Sequence, residues 1–239
     1  MINLAISGCQ GRMGQRITQL ALADKNLKIT TLLEHKNHPK AGEAVSGIKI
    51  STDNSAIKGA DVLIEFTLPE GSLENLSACV KHKVAMVIGT TGFTPEQVKK
   101  IKAASKKIPI VFSSNMSVGV NLVFRLVELA GQKTGKNYSI NIVEAHHIHK
   151  KDAPSGTAKT LAEYAEKGSG QKVTDFKSIR EGEIIGDHDV IFESGEDIIK
   201  ISHHAKNRDI FAKGSLVAAK FLAKKKSGLF NMQDVLGLK

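Results

Sequence analysis

The sequence predicts an α/β chain, with a parallel sheet covered on both faces by helices and then a smaller α+β region. Three observations predict it. Strand-like apolar runs alternate with amphipathic helical runs as far as Phe112. A glycine-rich turn joins the first strand to the first helix. Beyond Asn115 the pattern changes to hairpin-like strand candidates among fewer helices.

The elements follow in order. Residues 2–7 read as a buried strand, and 12–23 as a helix with Met13, Ile17, Leu20 and Ala21 on one face. Strands are expected at 28–33, 61–66, 84–88 and 108–112. A helix at 72–82 aligns Leu73, Leu76 and Val80. Thr94-Pro95-Glu96-Gln97 combines an N-cap, a proline at the first helical position and a capping-box glutamine, so a helix runs on to about Lys106. Residues 118–130 are apolar almost all round and predict a buried helix. Strands are expected at 138–145 and within 197–202, and an amphipathic helix at 209–224. No internal repeat or proline-rich linker marks a boundary.

Composition narrows the function. With 41% hydrophobic and 24% charged residues in 239, the chain is globular rather than disordered. Aromatics make up 5% and Trp is absent, which argues against a stacking platform for single-stranded nucleic acid. The net charge of +10 comes partly from lysine pairs and triplets on expected helix faces, such as Lys99-Lys100 and Lys224-Lys225-Lys226. Such a field attracts an anionic small molecule as well as it attracts nucleic acid. Cys9 and Cys79 lack metal or redox spacing and read as reduced thiols. No apolar run reaches membrane-spanning length and no leader precedes the first strand, so a cytoplasmic protein with no membrane and no nucleic-acid partner is expected.

The turn Gly8-Cys9-Gln10-Gly11-Arg12-Met13-Gly14 has the position of a dinucleotide-binding loop. Glycines let the backbone turn tightly beside a pyrophosphate, and the following helix offers free N–H groups. Glu34 lies where an acid can accept hydrogen bonds from an adenosine ribose, while His35 and Lys36 could meet a 2′-phosphate. Either NADH or NADPH is therefore expected. Gly89-Thr90-Thr91-Gly92 and Ser113-Ser114-Asn115-Met116 follow later strands, where loops of a parallel sheet form a ligand crevice.

A second signal is the run from Glu144 to Lys159, in which His146, His147, His149, Lys150 and Lys151 crowd together before Pro154-Ser155-Gly156-Thr157 opens a helix. Reduction of a polarised double bond needs a proton as well as a hydride. Histidine is suited to give it near neutral pH, a lysine ammonium can hold developing negative charge, and a helix start can bind a carboxylate. A metal set could be drawn from His146, His147, His149, His203 and His204. HExxH and a thiol cluster are both missing, so no metal is expected. Rival readings are a different nicotinamide dehydrogenase, a basic dinucleotide-sensing binding protein, or a chain that keeps the fold without activity.

These segments, together with Ser114–Asn121, Arg180–Gly186, His188–Phe192, Arg208–Gly214 and Gly228–Leu238, resemble the signature segments of the dihydrodipicolinate reductase family over essentially the whole chain. The resemblance implies a Rossmann-like dinucleotide-binding domain of residues 1–116 with 216–239. It also implies a central α+β domain, 117–215, that binds substrate and forms a homotetramer through its sheet. The implied reaction reduces a cyclic dicarboxylate with NADH or NADPH on the diaminopimelate route to lysine. By the motif match, His146 and Lys150 are catalytic, and His147, Gly156 and Thr157 bind substrate. Gly8, Cys9, Gln10, Gly11, Arg12, Met13, Glu34, Gly89, Thr90, Thr91, Ser113, Ser114, Asn115 and Met116 contact the cofactor. The chain departs from the pattern in its short 34–61 segment, at Glu65 and Leu68, where relatives often have Asp and Arg, and at Met116, where some have an aromatic. Leu68 removes a possible arginine contact with the cofactor.

Overall fold

The computed structural model describes residues 1–238 and divides into two compact units. The first comprises 1–117 and 211–237, the second 118–210 with Leu238. The second chain crossing thus falls at 210/211, five residues before the expected 215/216, because helix packing claims Phe211 onward for the first unit.

The first unit is built on an eight-stranded sheet. Its strands are β1 (Ile2–Ser7), β2 (Leu27–Leu33), β3 (Ala44–Val45), β4 (Ile48–Ser51), β5 (Val62–Glu65), β6 (Ala85–Ile88), β7 (Pro109–Phe112) and β12 (Gly228–Phe230). The spatial order is β12-β7-β6-β5-β1-β2-β4-β3, and every pairing is parallel except β3 with β4. Alternate residues feed two cores, as strand geometry requires. Leu4, Ile6, Val62 and Ile64 pack on α1 (Arg12–Leu22) and α6 (Asp209–Leu222), with Met232 of α7 (Met232–Leu236) in the same cluster. Ala5, Leu63, Met86 and Ile110 face α2 (Pro69–His82) and α3 (Pro95–Ala104). The capping box at Thr94 and Gln97 forms as expected. Helix α2 begins at Pro69, three residues before the expected start, since proline suits the first helical position. Strands β3 and β4 and the 3-10 turn at Asn54–Ile57 lie in the segment to which the sequence assigned no element.

The second unit has a four-stranded sheet in the order β11-β10-β8-β9, from β8 (Ser139–His146), β9 (Asp175–Arg180), β10 (Asp187–Glu193) and β11 (Ile198–His204). Strands β8 and β9 are parallel and the other pairings antiparallel. Helices α4 (Val118–Thr134) and α5 (Gly156–Ser169) share its core: Phe124, Val127, Leu161 and Ala165 pack with Ile142, Val190 and Phe192. The expectation that α4 is buried all round is corrected here. Val118, Leu122, Leu126 and Leu129 are each 43–45% exposed, because sheet and α5 engage only the opposite side of the helix.

Candidate active site

In the first unit, the glycine turn sits between β1 and α1. A Cβ on Gly14 would stand 2.0 Å from the Gly8 carbonyl oxygen, so only glycine lets helix and turn close this tightly. Gly11 is the N-cap of α1, and no side chain caps the helix start. Its first N–H groups are therefore not claimed by a side-chain cap. Beside the turn lies a cavity of about 670 Å³ lined by Gly8, Gln10, Gly11, Glu34, His35 and Lys36, with Leu68 and Glu74 among the α2-side residues.

The structure draws the expected cofactor residues apart in kind. Gly8, Gln10, Gly11 and Glu34 line the cavity; Cys9, Arg12, Met13, Gly89–Thr91 and Ser113–Met116 do not. Cys9 and Met116 are each 2% exposed and point into the core, so their side chains serve packing. Burial, with Glu34 nearby, pushes the Cys9 thiol up to about 11, which keeps it protonated and unreactive. Met13 packs partly buried against the same core. The Glu34 carboxylate accepts from the main-chain N–H groups of Gln10 and His35, both at 2.9 Å, and so also fixes the shape of the glycine turn. The Ser113 hydroxyl donates to the Asn115 carbonyl at 3.1 Å, and Asn115 Oδ1 accepts from Ser117 N–H at 2.8 Å. Arg12 opens α1, Thr91 and Ser114 stand in loops, and all three are exposed.

Sequence reasoning missed the hub beneath these loops. Glu65 at the end of β5 is fully buried and accepts from the hydroxyls of Thr67, Ser72 and Thr90, each at 2.8 Å. It thereby ties the loop after β5, the first turn of α2 and the Gly89–Thr91 loop to one point. Burial pushes its carboxyl above the usual range, against the hydroxyl bonds that favour the charged form.

In the second unit, His146 ends β8 and is 7% exposed. Glu144 lies two residues earlier on the same strand face, and its Oε2 contacts His146 Nδ1. The parallel pairing sets His146 opposite Arg180 and Glu144 opposite Ser178. Burial would raise the Glu144 carboxyl, but bonds from Arg180, Ser178 and His146 outweigh it and hold it below the usual range. For His146, burial lowers the imidazole below its ordinary value despite the Glu144 partner. Its lowered value favours the neutral ring, with Nδ1 held at Glu144 and Nε2 on the ring's other side. A Cβ on Gly186 would lie 3.1 Å from that Nε2, so glycine keeps its approach open.

Lys150 follows in the turn after β8. Its side chain is 23% exposed, and its ammonium pairs with Asp152 Oδ1 at 2.9 Å. Ser155 caps α5 by accepting from Ala158 N–H at 3.2 Å, so Gly156 and Thr157 open the helix. His188, which the sequence placed in no role, joins this helix start to His146. Its Nε2 lies 3.2 Å from Ser155 Oγ, and its ring packs edge-on against His146 at 5.1 Å between centroids. His147 stands immediately after β8, half-buried, with its ring 6.1 Å from that of His149. The side chains of His149 and its neighbour Glu183 are largely exposed. Glu144, His146 and His188 offer ligand atoms within 4.8 Å of one another, but Arg180 already engages both Glu144 oxygens, and its charge opposes a dication there.

Fold and sites together define a dinucleotide-dependent oxidoreductase of two-unit build. Residues 2–116 match the family model for the dihydrodipicolinate reductase N-terminus, and 119–236 that for its C-terminus. The 4-hydroxy-tetrahydrodipicolinate reductases of Nitrosomonas eutropha and Nitrosomonas europaea are 42% and 43% identical to the chain, covering all of it and 99% of their own length. The dipicolinate-bound dihydrodipicolinate reductase of Paenisporosarcina sp. TG-14 superposes with a TM-score of 0.81 at 24% identity, over 98% of both chains. The chain belongs to the dihydrodipicolinate reductase family.

Proposed function

We propose that this protein is a 4-hydroxy-tetrahydrodipicolinate reductase, using NADH or NADPH to form tetrahydrodipicolinate on the diaminopimelate route to lysine. In the net reaction the hydroxylated ring loses water, gains a hydride and takes up one proton, giving the oxidised nicotinamide. The observation that carries the reading is the joint placement of a buffered, neutral-poised His146, the Lys150 ammonium and the start of α5 in one unit of a full-length family member.

The first unit suits a dinucleotide. Its glycine turn closes where a Cβ would collide, its α1 start carries no side-chain cap, and the adjoining cavity holds Glu34 with His35 and Lys36. Gly8, Gln10 and Gly11 would hold the pyrophosphate by main-chain groups; Glu34 would meet the ribose and Lys36 a 2′-phosphate. Cys9, Arg12, Met13, Gly89–Thr91 and Ser113–Met116 would complete the cofactor site, Cys9 and Met116 through main chain. A bound reduced nicotinamide supplies the hydride. In the second unit, Gly156 and Thr157 with His147 grip the ring carboxylates at the helix start. Lys150 holds negative charge as it develops and supplies a proton, and His146 Nε2 completes the transfer.

Consumption of reduced nicotinamide with freshly generated substrate tests this. Wild type should turn over, and His146→Gln and Lys150→Met should each lower kcat by roughly 10²–10⁴-fold, the range for a positioned acid–base group. Wild-type kcat in both variants would sink the assignment. We also propose a cytoplasmic homotetramer. No helix among the described residues is long and apolar enough to cross a membrane. Ile198 and Ile199 on β11 are 62% and 37% exposed, which suits assembly through the sheet. Light scattering after gel filtration should give four times 25.7 kDa.

A further inference from the structure

Arg180, the last residue of β9, uses all five of its N–H donors. Nη1 donates to Glu144 Oε2 at 3.1 Å and to the Ile179 carbonyl at 2.6 Å. Nη2 donates to Glu144 Oε1 at 2.8 Å and to the Asp152 carbonyl at 2.6 Å. Nε donates to the Lys150 carbonyl at 3.3 Å. The fork on Glu144 fixes both oxygens of the carboxylate that holds His146 Nδ1. The other arm ties down the main chain on which Lys150 is carried. Strand register explains the placement, because Arg180 is the direct partner of His146 across the β8–β9 pair.

We infer that Arg180 is a positioning residue for the reduction: one guanidinium sets the orientation of His146 through Glu144 and the position of Lys150 through the carbonyls of Lys150 and Asp152. This rests on the roles proposed above for His146 and Lys150. A lysine cannot replace it, since an ammonium has three donors, no fixed fork and no way to span a carboxylate and two carbonyls. Misplacing catalytic groups by about 1 Å can cost ~10²-fold in rate, which sets the scale expected.

The test compares Arg180→Lys, Arg180→Met and Glu144→Gln with wild type. kcat should fall by about 10²-fold in all three, while KM for the reduced nicotinamide holds at its wild-type value. The pH profile and the ring-nitrogen NMR shifts of His146, taken without substrate, give a signature that simple loosening lacks. The charged or titratable groups around the ring are Glu144, Arg180, Lys150 and His188. Glu144 raises the His146 pKa and Arg180 lowers it. Glu144→Gln should therefore move the His146 titration to lower pH, and Arg180→Met should move it to higher pH. Wild-type kcat in Arg180→Lys, or unmoved His146 titrations, would overturn the inference. If Arg180→Met does not fold, Arg180→Lys and Glu144→Gln decide the matter. Failure of the underlying reading looks different, because His146→Gln and Lys150→Met would then themselves keep wild-type kcat.

Discussion

At the scale of single residues, the surroundings of His146 take freedom away from its ring. Its Nδ1 is committed to Glu144, its face is packed against His188, and its remaining nitrogen opens beside Gly186. Gly186→Ala puts a methyl 3.1 Å from Nε2, tighter than ordinary contact. We expect a clear loss of kcat with little change in melting temperature, read by steady-state kinetics beside a thermal melt. Unaltered kcat would mean that Nε2 is not the exchanging atom. Part of this candidate site was legible in the chain. The spacing of His146, Lys150 and the helix start at Ser155 shows in sequence, because those residues are local to one segment. Arg180, His188 and Glu65 were not legible as members of any site. Their roles depend on pairings across 36, 33 and 25 residues, Arg180 with Glu144, His188 with Ser155 and Glu65 with Thr90, which no local pattern encodes.

At the scale of elements, the start of α5 joins helix capping to the buried histidine pair. Ser155 caps the helix and also meets His188, so Ser155→Ala removes a cap worth about 0.5–2 kcal/mol and a support of the buried ring pair at once. Denaturant titration should show that loss, and KM for the dicarboxylate should rise. An unchanged KM would separate the cap from substrate binding. The legible elements were those with a strong apolar period: β1 was anticipated at Ile2–Ser7 and α3 by its capping box. Strand β9 escaped because it is an edge strand whose Asp175, Lys177 and Ser178 are exposed, which leaves no alternation to read. Helix α4 misled in the opposite direction. Its leucines are numerous enough to suggest burial on every side, yet those at 122, 126 and 129 form an open stripe.

At the scale of the whole molecule, charge and connectivity have consequences. Burial, and next the charge of His146, push His188 down to about 3, and burial also lowers His146 and His203. The unfolded chain, with histidines near 6.5, therefore binds more protons than the folded one between about pH 6.5 and 3. Stability conferred by the neutral rings is complete above that window and is lost as pH falls through it. Urea midpoints should drop steadily from pH 7 toward pH 4.5, and His188→Gln should flatten the slope; an unchanged slope would contradict the buried-neutral assignment. The net charge of +10 should make KM for both anionic reactants rise with salt. The path of the chain adds a constraint of timing. Helix α6 and strand β12 complete the core and the edge of a sheet that the first residues begin. A ribosome adding about 5–20 residues per second makes the intervening unit first, and can release it to fold, while the first unit still lacks its closing pieces for several seconds. The glycine turn, although made before the second unit, reaches its finished surroundings after it, so nucleotide binding should appear only once residues 211–237 have been made.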